Sequence, residues 1–142
     1  MDKFTSKAEI IINAPAFKVW EALTNPKMVK QYLFGTDMLA DWKVGGKITY
    51  SGEWEGKKYQ DKGEVLELEQ GKHLKTTYWS SMGGMEDKPE NYQIVTYDLA
   101  ENDGNTTLTL TQENSISQES VDHSGENWKM VLGKMKELVE KN

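Results

Sequence analysis

Residues 128–139 constrain the fold most. Trp128, Val131, Leu132, Met135, Leu138 and Val139 form one apolar stripe of helical period, whereas almost everything before them alternates with the period of strands. An amphipathic helix has to bury its stripe, and the large apolar surface that alternating strands offer is one face of a sheet. The order therefore predicts an α+β fold in which a curved antiparallel sheet of about seven strands wraps around a long C-terminal helix. Such a wrap either packs solid or encloses a pocket, and the function depends on which.

The preceding segments supply that sheet. Phe4, Ala8, Ile10 and Ile12 alternate in a first strand that Asn13-Ala14-Pro15 ends. Proline suits the first turn of a helix, and Phe17, Trp20 and Leu23 then recur on one helical face. Asn25-Pro26 breaks this helix and starts a second short one with Val29, Tyr32 and Leu33. Gly35 to Asp41 reads as irregular, and Trp42 to Lys47 as a strand edge entering a glycine turn. Ile48, Tyr50, Gly52 and Trp54 share one face of the next strand, and Tyr59 to Glu69 returns with Gly63 as a bulge or kink. His73 to Trp79, then Val95, Tyr97 and Leu99, then Leu108 and Leu110 give three more strands; Asp103-Gly104 marks the turn between the last two. Ser115 and Gln118 have capping-box spacing at the start of the closing helix.

The 142 residues suit one domain spanning 1–142, and no run approaches the roughly 18 apolar residues of a membrane span. Met1 to Lys7 lacks a signal-peptide core, and the absence of cysteine fits a reducing cytoplasm. A net charge of −6 argues against nucleic acid and anionic membrane as partners.

Five segments carry a resemblance. They are Ala14-Pro15 with Val19-Trp20 and Leu23-Thr24; Asp41-Trp42-Lys43-Val44-Gly45-Gly46; Asp61-Lys62-Gly63-Glu64-Val65-Leu66-Glu67; Gly104-Asn105-Thr106 with Leu108-Thr109-Leu110-Thr111; and Asn127-Trp128 with Val131-Leu132. In this order they resemble the SRPBCC or helix-grip superfamily of Bet v 1 and START domains, and within it the activator of heat-shock protein 90 ATPase homologue-like branch. The resemblance implies the helix-grip fold. It also implies a choice among carriers of apolar molecules, polyketide cyclases and chaperone cofactors. The eukaryotic chaperone activators join a similar domain to a separate N-terminal one, for which this length leaves no room.

The chemistry-bearing residues narrow that choice. Two histidines lie 50 positions apart with no cysteine, so no zinc spacing exists and no cofactor motif is present. His73 reads as a solvated turn residue. His123, near the start of the closing helix, is placed for a polar anchor at a cavity mouth, or for a general acid if the protein is a cyclase or hydrolase. Glu67 and Glu69 fall on one strand face and Glu64 on the other, which does not converge on a metal. Gly45-Gly46-Lys47 lacks the first glycine of a phosphate-binding loop and reads as a hairpin turn.

Trp42, Tyr50, Trp54, Tyr59, Tyr78 and Tyr97 fall on positions predicted to face the closing helix. They either fill the core or line a wet, partly apolar pocket with Gln112, Trp128 and Leu132. Met82 and Met85 flank two glycines in the longest predicted loop, which is either a mobile lid over the cavity mouth or merely a disordered loop. Gly125 continues the helix stripe without a side chain, which either leaves space beneath the helix or marks a kink in it. The expected function is non-catalytic binding of a small apolar or aromatic molecule by a monomer or dimer. A chaperone-cofactor module is the alternative, and it requires an exposed apolar patch instead.

Overall fold

The computed structural model describes residues 4–32, 35–54, 56–80, 86–115 and 118–141, without the side chains of residues 4, 54, 89, 114–125 and 127. Its elements are β1 (Phe4–Ile12), α1 (Ala16–Thr24), α2 (Pro26–Tyr32), β2 (Asp37–Ala40), β3 (Lys47–Trp54), β4 (Lys57–Glu69), β5 (His73–Ser80), β6 (Gln93–Asn102), β7 (Asn105–Ser115) and α3 (Gln118–Lys141). The seven strands form one antiparallel sheet of order β1-β7-β6-β5-β4-β3-β2. Each strand from β2 onward pairs with its successor, and β1 returns to pair with β7. This is the helix-grip arrangement expected from the residue pattern.

Local chemistry explains the joints. Asn25 closes α1 with its backbone N–H on the Glu21 carbonyl, and its side-chain oxygen accepts from Lys27 N–H at 2.9 Å, which opens α2. The Glu101 carboxylate accepts the Ala16 N–H at 2.6 Å, placing negative charge at the start of α1. Asp103 and Gly104, with φ of 54° and 81°, form the two-residue turn between β6 and β7.

The core lies between the sheet and α3. Val131, Leu132, Met135 and Val139 of the helix stripe are buried with Ile12, Ile48, Val65, Leu74, Leu99 and Leu108 of the sheet and Val19, Leu23 and Val29 of α1 and α2. At its C-terminal end α3 is tied to β1: Lys136 Nζ donates to the Ile11 carbonyl at 3.0 Å, and Asn13 N–H donates to the Glu140 carboxylate at 2.8 Å.

Several expectations are corrected. Phe17 is 67% exposed, because α1 buries the face made by Val19, Trp20, Ala22 and Leu23. Residues 37–40 are a strand and not irregular; the exposed Leu39 beside buried Met38 hid their alternation. Residues 41–46 are the loop after that strand. Here Gly46 passes so close to the chain that a Cβ would fall 1.9 Å from the Asp41 carbonyl oxygen. Gly63 is not a bulge, since it pairs in register with Ile48. The register shift falls between Val65 and Glu67, and this turns Glu67 and Glu69 to the same outer side as Glu64. The Ser115–Gln118 capping box lies outside the described side chains.

That shift also changes the reading of His73, which is not a free turn residue. On the outer face its Nδ1 lies 2.5 Å from an Asp98 oxygen and its Nε2 2.8 Å from a Glu67 oxygen, with Lys75 a further 3.8 Å from Glu67. The hydrogen bonds to Asp98 and then Glu67 raise its pKa above 6.5, against an opposing effect of burial. A raised folded-state pKa means that this staple stabilises fully below the unfolded value and fades as pH climbs through the folded one. The melting-temperature difference between the native chain and His73→Gln is therefore expected to be largest in mild acid and to shrink toward alkaline pH. A difference that grows with pH would exclude the staple.

Candidate functional site

Strand register builds the inner face in rows of unlike character. Ala8, Leu110, Tyr97 and Leu74 lie side by side across β1, β7, β6 and β5. Nearer the N-terminal end of α3, Ser6, Gln112, Val95 and Thr76 form the next row, and Gln93 lies opposite Tyr78. Tyr50, Asp61 and Ser80 then lie in register across β3, β4 and β5. The face thus passes from aliphatic to aromatic and polar. The backbone of α3 comes close mainly to β1, α1, α2 and β7. Strands β3 to β5, which carry the polar and aromatic end, are not among its principal neighbours.

The aromatic side chains of this face carry polar tips, several of them hydrogen-bonded. Tyr50 and Tyr78 meet edge to face with centroids 6.1 Å apart, and the Tyr78 hydroxyl donates to Asp61 at 2.6 Å. Tyr97 and Trp128 also meet edge to face at 6.4 Å, and the Trp128 indole N–H donates to the Gln112 oxygen at 2.7 Å. The Gln112 amide donates in turn to Gln93. Tyr59 shares a 2.5 Å hydrogen bond with Thr36, and its ring lies across Gly52, where a Cβ would meet the hydroxyl at 2.6 Å.

Tyr50 and Tyr97 are only half-buried by surface exposure, yet both sit deep in protein. Burial, followed by the Asp61 charge, pushes the Tyr50 hydroxyl up to about 12. Burial, followed by the neighbouring Tyr50, Tyr32 and Tyr78, drives Tyr97 well above its usual range. Among the described residues neither hydroxyl has a hydrogen-bond partner. Each of these two residues thus combines a desolvated hydroxyl with some remaining accessible surface and no hydrogen-bond partner among the described residues.

The structure therefore brings Tyr50, Tyr78, Tyr97, Gln112 and Trp128 together on the inner face. Leu132 lies below them in the solid core, 1% exposed. Trp42 is not on a strand: it occupies the loop after β2 and donates its indole N–H to the Thr24 carbonyl at 3.1 Å, locking that loop to α1. Tyr59 stands apart toward β2. Trp54 ends β3 and His123 lies on α3, both with side chains outside the described set, as is the position of Gly125 toward the interior. Met82 and Met85 lie outside the described residues.

Sequence reasoning missed Tyr32, Asp61 and Gln93. Tyr32 belongs to the tyrosine cluster and donates to the Ala22 carbonyl at 2.8 Å. Asp61 had a signal: alternation along β4 puts it on the same face as Gly63 and Val65, and a charged residue at an inward position is informative. The described tyrosine hydroxyls of this cluster all shift away from neutral pH, mainly through burial. That makes them hydrogen-bond donors rather than tuned general acids. Among the described residues no group of histidine and carboxylates converges on a metal position, and no helix is long and apolar enough to cross a membrane.

Comparisons with known proteins agree with this architecture. Residues 13–140 match the family model described as Activator of Hsp90 ATPase homolog 1-like protein. The solution structure of ChR145 from Cytophaga hutchinsonii is 39% identical, with a TM-score of 0.86 over 99% of this chain and 97% of that one. Ara h 8.0201 shares the fold at 10% identity, with a TM-score of 0.78 over 99% and 100% of the two chains. The Aha1 dimer from Colwellia psychrerythraea matches at 19% identity and a TM-score of 0.76, covering 96% of each chain. A search of curated proteins finds no significant match.

Proposed function

Since this chain belongs to the activator of Hsp90 ATPase homolog 1-like family, built on a fold that grips a helix over an open sheet face, we propose that it binds a small apolar or aromatic molecule there without catalysis. The observation that carries this reading is the pair of desolvated hydroxyls, on Tyr50 and Tyr97, without protein partners among the described residues. Aromatic walls supply apolar area, and a few directed polar tips fix orientation, which is how small-molecule sites are generally built. Tyr50, Tyr78, Tyr97, Gln112 and Trp128 form the wall, with Leu132 as its floor; Trp42, Trp54 and Tyr59 belong to its margin. His123 is assigned the polar anchor at the mouth, and Met82 and Met85 the lid. The protein works in the cytoplasm and needs no cofactor.

A thermal-shift screen of aromatic, lipid and polyketide-like compounds tests the reading. A ligand present at about 100 times its dissociation constant should stabilise the fold by roughly 2.7 kcal/mol. Absence of any shift across such a screen would remove the proposal.

The family description favours a second reading, docking to a 90-kDa chaperone as a cofactor does. That reading needs a contiguous exposed apolar patch. Among the described residues the exposed large apolar side chains are Ile11, Phe17, Leu39, Val44 and Met130, of which Ile11 and Leu39 lie on strands at opposite edges of the sheet. A pull-down against the chaperone separates the two readings.

A further inference from the structure

On the outer face of the sheet the surroundings of His73 require a definite number of protons. Its Nδ1 lies 2.5 Å from an oxygen of Asp98, its register partner on β6, and its Nε2 lies 2.8 Å from an oxygen of Glu67 on β4. An ionised carboxylate only accepts hydrogen bonds, and a neutral imidazole has a single N–H. Both contacts are therefore satisfied only by the imidazolium; without the second proton, one ring nitrogen turns a lone pair toward a carboxylate oxygen. Glu69 opposite His73 on β4, and Glu9 of β1 beyond Thr109 in the same row, also favour the cation. Lys75, 3.8 Å from Glu67, and Lys72, 3.8 Å from Glu69, oppose it.

The two arms of this contact hold different things. Asp98 faces His73 within a regular β5–β6 ladder. Glu67 follows the register shift in β4. Two residues before it, Val65 donates its N–H to the Gly46 carbonyl at 2.9 Å and accepts the Gly45 N–H at 2.8 Å. These bonds hold the loop of residues 41–46, whose Trp42 indole is fixed to the Thr24 carbonyl at the end of α1.

We propose that His73 is a proton-controlled clasp: protonated, it pins the shifted part of β4 to β6 across β5, and on losing a proton it keeps Asp98, releases Glu67 to Lys75 and loosens the hold of β4 on loop 41–46. The arm that is kept follows from geometry, since Asp98 is the nearer partner and Glu67 has a lysine to turn to. The hydrogen bonds to Asp98 and then Glu67 hold the histidine above its ordinary pKa of 6.5. The clasp is closed in mild acid and opens as pH rises through that raised value.

NMR of the native full chain from mild acid to mild alkali tests this. The ring is expected to carry protons on both nitrogens in acid and on Nδ1 alone in alkali. Amide exchange at Val65 and Gly45, corrected for its intrinsic pH dependence, should lose protection by about tenfold for each pH unit by which the His73 pKa exceeds that of a free imidazole. Both amides should exchange faster than the slowest amides of the sheet, the mark of a local opening rather than of global unfolding. His73→Gln, which does not titrate, should make their protection independent of pH, and Glu67→Gln should do the same while leaving His73 to titrate. Protection that stays constant through the His73 titration in the native chain, or that falls equally in His73→Gln, would overturn the clasp. So would a neutral ring protonated on Nε2, because the surviving arm would then be Glu67. Ring state and protection in the native chain decide the matter even if neither variant folds.

Discussion

Replacing Trp128 by alanine is expected to lower the unfolding free energy by about 3 kcal/mol, toward the low end for truncating a large buried aromatic because the indole keeps partial exposure. Two effects add. The ring leaves its edge-to-face contact with Tyr97, and the lost N–H strands the oxygen of Gln112, a side chain only 5% exposed. Leaving such a buried acceptor unsatisfied costs about 1–3 kcal/mol, so the polar loss accounts for a sizeable part of the total. Trp128→Phe separates the two, since it keeps most of the ring area and loses the donor. Urea unfolding should place it between the native chain and the alanine variant. A loss below about 1 kcal/mol for Trp128→Ala, the size typical of surface changes, would mean that the indole does not anchor α3 over the sheet.

A comparable effect is expected at Gly63, where the sign is decided by space rather than by backbone freedom. Gly63 does not have a positive φ, so alanine should be accepted by its backbone and, on chain entropy alone, stabilise by about 0.4–1 kcal/mol. A Cβ there would nevertheless fall 1.9 Å from the Thr77 carbonyl oxygen and 2.8 Å from its carbon. Both are backbone atoms of β5 and cannot swing aside, so β4 and β5 would have to part at the centre of the sheet. Gly63→Ala should therefore cost about 3 kcal/mol, at the upper end of overpacking penalties, with a fall of roughly 10 °C in melting temperature. Gly133, within α3 and with nothing in the path of a Cβ, is the control: alanine there should be neutral or stabilising. A neutral Gly63→Ala would refute the close approach of the two strands.

Both sites were named from the residue pattern, but for different reasons than the structure provides. Trp128 was legible because a helix stripe has a long period that survives local noise. Gly63 was legible only as an exception within a strand, and its meaning, a backbone from a neighbouring strand passing close by, involves a residue 14 positions away. The misplaced second strand has a similar origin: β2 is four residues long, and one exposed leucine is enough to erase a period-two pattern of that length. His73 could not be read at all without the register, because its partners Glu67 and Asp98 come from two different strands and one of them is positioned by a bulge.

The aromatic interior shows the same division. Alternation marks Tyr50, Tyr78 and Tyr97 as sharing the face that meets the helix, since side chains two residues apart on a strand must point the same way. The order and kind of elements follow as well, because hydrophobic period is a property of consecutive residues. Whether those rings pack solid or border a space depends on where α3 comes to rest. That is set by contacts between distant segments: Lys136 and Glu140 on the end of β1, the α1–α2 pair beneath the helix, and Trp128 reaching across to Gln112. Asp61 acquires its interest in the same way, as an inward carboxylate whose surroundings come from β3 and β5, and local pattern carries no information about which strands become neighbours.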